Sequence, residues 1–204
     1  MRLNLAEGEY LIRLARKSIE TYLRTGERLK APEEAFEVLY EKRGVFVTLQ
    51  RMLEGEKRLR GCIGFIVPQY SLIEATIRSA ISAAVDDPRF PPVEFNELKK
   101  LVIEVSVLTP AQLAKVNNPR EYPSSIKVGR DGLIAKLGWK TGVLLPQVAV
   151  EYGWDEEQFI KQTCIKAFLP QDAWKEDEFE LYSFQSQIFE EKSPNGEVEE
   201  RSLT

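Results

Sequence analysis

Residues 101–108 read Leu101-Val102-Ile103-Glu104-Val105-Ser106-Val107-Leu108: β-branched and aliphatic side chains interrupted by one acid and one hydroxyl. Leu101, Ile103, Val105 and Val107 alternate with Val102, Glu104, Ser106 and Leu108, which is the two-residue period of a strand. Upstream the period changes. From Leu72 to about Val85, the residues Leu72, Ile73, Ile77, Ala80, Ile81 and Ala84 fall on one face of a helix. Ser71-Leu72-Ile73-Glu74 reads as its capping box. Asp86-Asp87-Pro88-Arg89-Phe90-Pro91-Pro92 ends it, because proline donates no helical hydrogen bond and restrains its predecessor. Further back, Val45 to Leu49 and about Arg58 to Val67 read as two strands joined by a hairpin turn at Glu54-Gly55-Glu56-Lys57. An amphipathic helix over about residues 7–25, and a short helical stretch near Glu33–Tyr40, precede them.

Downstream of Leu108 the chain is irregular to about residue 125. Short strands are expected at Ile126–Val128, Leu133–Ala135 and Thr141–Leu145. Helices follow from Pro146 to Tyr152 and from about 156 to 168, then a last strand near Phe179–Phe189. The charged tail from Glu190 lacks periodicity and is expected to be mobile. The two halves share a rhythm: strand, strand, helix, strand over 44–109, and strands, helices, strand over 126–189. No residues match at a fixed period, so a duplication would be structural only. The fold class is α+β, with two subdomains and mostly antiparallel sheets flanked by helices. Residues 41–110 are expected to form the smaller subdomain, and 1–40 with 111–204 the larger.

The 204 residues include no histidine, which excludes Ser-His-Asp and Cys-His catalysis and any imidazole metal site. No metal or cofactor motif is found: no phosphate loop, dinucleotide fingerprint or iron–sulfur cysteine cluster. The net charge of −4 gives no global attraction for nucleic acid. Nor does any stretch approach the roughly 18 apolar residues of a membrane span. The opening residues lack an apolar core of signal-peptide length, so a cytoplasmic location is expected.

The chemistry-bearing segment is Leu59-Arg60-Gly61-Cys62-Ile63-Gly64. A thiol between two glycines sits where the backbone can bend and another group can come close. Arg60 can favour a thiolate, or bind a carboxylate or phosphate. The same hexapeptide also reads as a strand whose glycines relieve crowding and whose cysteine packs as a small apolar residue. Asp87 and Arg89 offer a proton acceptor or a cation site, or simply a paired helix end. Glu104, if it faces inward, needs a partner such as Arg60 or Arg78. Arg51, Lys57, Arg58 and Arg60 form a basic hairpin, read first as a solvated face. Cys164 and the three tryptophans are assigned to core or interface.

The hexapeptide resembles the hallmark of the AMMECR-one domain family. So do Ala83-Ala84-Val85-Asp86-Asp87-Pro88-Arg89-Phe90 and Ile103 to Pro110, and later Gly129–Leu133, Leu144–Val148, Gly153–Asp155 and Cys164–Ala167. The resemblance implies a two-part α+β fold whose marked residues gather near a cleft, and it brings no established reaction. It implies Memo-like and radical-SAM proteins as partners. Two functions are carried forward. One is a module binding a partner or an unknown small ligand through Arg60, Gly61, Gly64, Asp87, Arg89 and Glu104. The other is an enzyme with Cys62 as nucleophile or redox thiol.

Overall fold

A computed structural model of the chain describes residues 2–53 and 55–203. In chain order the elements are α1 (Leu5–Thr25), β1 (Val45–Leu53), β2 (Glu56–Phe65), α2 (Leu72–Val85), α3 (Phe95–Leu98), β3 (Leu101–Leu108), β4 (Gln112–Leu113), α4 (Tyr122–Ser125), β5 (Asp131–Leu137), β6 (Lys140–Leu144), α5 (Pro146–Glu151), α6 (Glu156–Lys166), β7 (Glu180–Glu191) and β8 (Val198–Arg201). The architecture is α+β with antiparallel pairing throughout. Among the described residues, no helix is long and apolar enough to cross a membrane.

The chain forms two compact units, residues 2–108 with Gln187–Arg201 and residues 109–186 with 202–203. This grouping differs from the division expected from the sequence, which placed residues 1–40 with the C-terminal part. In the first unit β1 lies between β2 and β3. Val45, Val47 and Leu49 of β1 and Ile103, Val105 and Val107 of β3 share one core with Leu11, Ile12 and Ile19 of α1 and Ile73, Ile77 and Ala80 of α2. Strand alternation sends Thr48, Gln50, Glu104 and Ser106 to the opposite face, where all four are also buried.

The second unit repeats the scheme. β5 and β6 form a hairpin, α5 and α6 follow, and β7 returns to pair with β5. Both units are therefore a hairpin, helix and third strand, with the third strand on the first: β2-β1-β3 and β6-β5-β7. The core of the second unit gathers Leu133, Ala135, Phe159, Ile160, Cys164 and Trp174.

Several expectations need correction. No strand forms at Ile126–Val128, because the Lys127 N–H donates to Asp131 and the Val128 N–H to Glu156, which removes both from any ladder. The stretch before β1 is one turn of 3-10 helix, Glu37–Tyr40. Only half of the Ser71 capping box forms: Ser71 Oγ accepts from the Glu74 N–H, but the Glu74 carboxylate receives Arg78 instead. The hairpin turn includes Gly55, and Glu54 lies outside the described residues. The tail is not a loose end. β8 pairs with the end of β7, and Glu190 and Glu191 are buried. Its charges are matched by opposite charges, such as Arg16 on Glu191 and Lys57 on Glu190, so it carries no apolar period to read.

Candidate functional site

The site begins with register. Thr48 on β1 lies directly opposite Cys62 on β2 and Glu104 on β3. The three side chains form one row across the sheet, on the face away from the helices. The pairing shifts between Leu49 opposite Gly61 and Gln50 opposite Leu59. Arg60 is thus the extra residue of a β-bulge, which re-aims a side chain and sets which face the later residues take. Its guanidinium spans Glu97 of α3, with Nε 2.7 Å from Oε1 and Nη2 3.0 Å from Oε2, and donates to the Pro91 carbonyl at 2.9 Å. Arg51 also donates to Glu97. Phe90 lies 5.8 Å from the Arg60 guanidinium and 5.6 Å from that of Arg89, measured to the ring centroid.

Gly61 and Gly64 are packing requirements. A Cβ at Gly61 would collide with the Ala83 carbonyl oxygen at the end of α2, and one at Gly64 with the Val45 carbonyl and the Phe46 ring. The close approach at Gly61 brings the segment after α2 onto the strand. The Cys62 N–H donates to Asp87 Oδ2 at 2.8 Å. Arg89 grips the same carboxylate with two donors, Nε at 2.9 Å and Nη2 at 2.7 Å, and adds its own backbone N–H. Asp87 is buried, while almost half of the Arg89 side chain is exposed. The Arg89 bonds hold the Asp87 pKa down to about 2, against the opposing effect of burial, and the Cys62 and Arg89 backbone N–H groups assist.

The thiol has different surroundings. Thr48 Oγ1 donates to Cys62 Sγ at 3.2 Å. Burial raises the thiol pKa to about 11; the Thr48 bond and Arg89 oppose the rise, and the negative charges of Glu104 and Asp87 add to it. Arg60, which the sequence offered as a thiolate stabiliser, is committed to Glu97. Arg78 is committed to Glu74. Glu104, offered Arg60 or Arg78 as partners, instead meets Arg201 of β8 at 3.2 Å and the Ser106 hydroxyl at 3.3 Å.

The structure therefore brings Arg60, Gly61, Cys62, Gly64, Asp87, Arg89 and Glu104 into one unit. Three contributors were missed: Thr48, Glu97 and Arg201. Thr48 was hidden by the bulge, and Arg201 by a tail that looked unstructured. Glu97 gave no signal beyond being an acid. Both thiols are free, and Cys164 is fully buried in the second core. Among the described residues, no cluster of three or more Cys, Asp or Glu side chains is placed to hold a metal ion.

An α+β chain of two hairpin–helix–strand units, with a Gly-Cys-x-Gly strand clasped by an Asp-x-Arg segment, defines the class. The chain belongs to the AMMECR1 family, whose model matches residues 12–189. It is 55% identical over 197 residues to Protein PF1979 of Pyrococcus furiosus, covering 96% of this chain and 93% of that one. It is 51% identical over 201 residues to Protein MJ0810 of Methanocaldococcus jannaschii, covering 98% of both. The crystal structure of the uncharacterized protein PH0010 from Pyrococcus horikoshii superposes with a TM-score of 0.95 at 50% identity, covering 99% of this chain and 100% of that one. None of these three names states an activity.

Proposed function

We propose that the chain is a binding module. Its site is the hexapeptide strand with its clasp: Arg60, Gly61, Cys62 and Gly64, with Asp87, Arg89 and Glu104. One observation carries this reading: each acid and base around Cys62 already has a fixed partner, and the partly buried thiol lies beside carboxylates that oppose its ionisation. A thiol pushed up to about 11 is poorly provided to act as a nucleophile or redox thiol at neutral pH. The half-exposed Arg89, held rigid by Asp87, is the group best placed to meet a carboxylate or phosphate on a ligand or partner.

The basic hairpin gives no support to nucleic-acid binding. Arg51 and Arg60 meet Glu97, and Lys57 meets Glu190. A neutralised surface lacks the counterion release that drives such binding. The family resemblance directs the first search to Memo-like and radical-SAM proteins. The test is calorimetric titration of the chain with each, purified. The expected result is saturable binding to at least one, weakened tenfold or more by Arg89→Glu in a protein that still melts cooperatively. No binding to either, together with rapid Cys62 alkylation at neutral pH, would overturn the reading in favour of thiol chemistry.

A further inference from the structure

We infer that the second unit carries a separate docking surface for a protein segment that combines acidic and apolar side chains. It is centred on Trp139 and Phe168. Trp139 is 89% exposed and Phe168 86%, the two most exposed large apolar side chains described. They lie far apart in sequence, but Lys140 ties them together. Its ammonium donates to the Phe168 carbonyl at 3.0 Å and stands 5.9 Å from the centre of a Trp139 ring. Gly142 of β6 closes the joint, because a Cβ there would strike the backbone of Lys166 and Ala167. Ile165, on the last turn of α6, is half-exposed.

Both aromatics stand on tight turns of the backbone and are exposed. Trp139 occupies the two-residue turn between the paired residues Leu137 and Lys140. Phe168 has a φ of +56°, a left-handed conformation that a bulky residue adopts only at a cost in stability. That conformation closes α6, because the Phe168 and Leu169 N–H groups donate to the Ile165 and Cys164 carbonyls, and it buries Leu169 while leaving the phenyl ring outside. Exposed aromatic side chains on fixed backbone turns are what an interface uses as anchors.

Charge selects the occupant. Lys136, Lys161 and Lys175 in this unit are each matched by a carboxylate, from Glu180, Glu157 and Asp172. Lys140 and Lys166, which flank the aromatics, have no carboxylate partner among the described residues, as is also the case for Lys115 and Lys127 elsewhere in this unit. Two unmatched ammonium groups beside an apolar surface fit a partner that brings acids to an apolar contact. A second copy in a symmetric dimer would face the lysines toward each other. An anionic membrane would have to receive a chain of net charge −4.

The test uses the full chain, with a displayed library of random dodecapeptides as the probe. Enriched peptides are expected to place Asp or Glu among aromatic or aliphatic residues. A representative synthetic peptide should lose at least tenfold in affinity with Trp139→Ala and with Phe168→Gly, and several-fold with Lys140→Gln. Lys17→Gln, on α1 of the other unit, should bind as the wild type does. Melting temperatures should be unchanged for Trp139→Ala and raised for Phe168→Gly, which separates lost contact from lost fold. The inference is overturned if no peptide binds in a Trp139-dependent way, or if the enriched peptides lack acids. It is equally overturned if light scattering shows a Trp139-dependent dimer, or if the chain co-sediments with phosphatidylglycerol vesicles through Trp139.

Discussion

Asp87 is the residue on which the clasp turns. It accepts from the Cys62 backbone and holds Arg89 with both oxygens, and its pKa falls to about 2 from a usual value near 3.8. A depressed carboxylate stabilises the fold above its unfolded pKa, and that stability is lost as pH drops through the folded value. The shift corresponds to about 2 kcal/mol. Asp87→Asn should therefore be destabilised by about 2 kcal/mol at pH 7, and its deficit against the wild type should shrink steadily between about pH 4 and pH 2. Urea denaturation of both proteins across that range checks it. Phe168 makes the opposite case. Replacing it by glycine relieves the left-handed backbone and should stabilise the chain by about 1 kcal/mol, read as a higher midpoint in the same denaturation. Cys62 and the Asp87–Arg89 pair were legible from residue types alone. Their roles were not, because pKa depends on burial and on neighbours that sequence spacing does not reveal.

At the scale of elements, the bulge at Arg60 matters most. Counting back from Leu53 opposite Glu56 without a bulge would set Thr48 opposite Gly61 and turn Cys62 toward the helices. The extra residue reverses that and puts the thiol beside Thr48 and Glu104. The strands and the hairpin were readable from alternation and turn residues, but a bulge leaves no mark in hydrophobic period. Gly61→Ala forces a methyl group against the Ala83 carbonyl and should cost about 1–3 kcal/mol. It should also loosen the clasp, seen as faster hydrogen exchange of the Cys62 amide. The helices α1, α2 and α6 were legible for the usual reasons of apolar spacing and caps. The strand expected at Ile126–Val128 was not formed because side-chain carboxylates took its backbone donors, and propensity cannot anticipate that.

At the scale of the whole molecule, the C-terminal residues complete the first unit. Glu191 is fully buried and meets Arg16 of α1, and it also accepts from the Ile103 backbone N–H. Removing Arg16 leaves buried Glu191 only the Ile103 N–H and the longer contact with Arg13 at 3.6 Å, so Arg16→Ala should cost about 3 kcal/mol, the low end for a broken buried pair. A chemical melt showing less than a third of this loss would contradict this role of the Arg16–Glu191 pair. The repeated hairpin–helix–strand plan was visible in the sequence as rhythm alone. The return of the charged tail was not, because its pairing rests on charges matched across strands.

On the proposed function, Cys62 is a protonated member of a binding surface and not a catalytic thiolate. This is tested most directly by the pH dependence of iodoacetamide alkylation at Cys62 in the native chain, followed by mass spectrometry of the cysteine-bearing peptides. Modification should be slow at pH 7, with a rate that climbs to a midpoint near 11, because desolvation and the charges of Glu104 and Asp87 push the thiol up. A midpoint below about 8.5, the ordinary thiol value, would contradict it and make thiol chemistry the function to pursue.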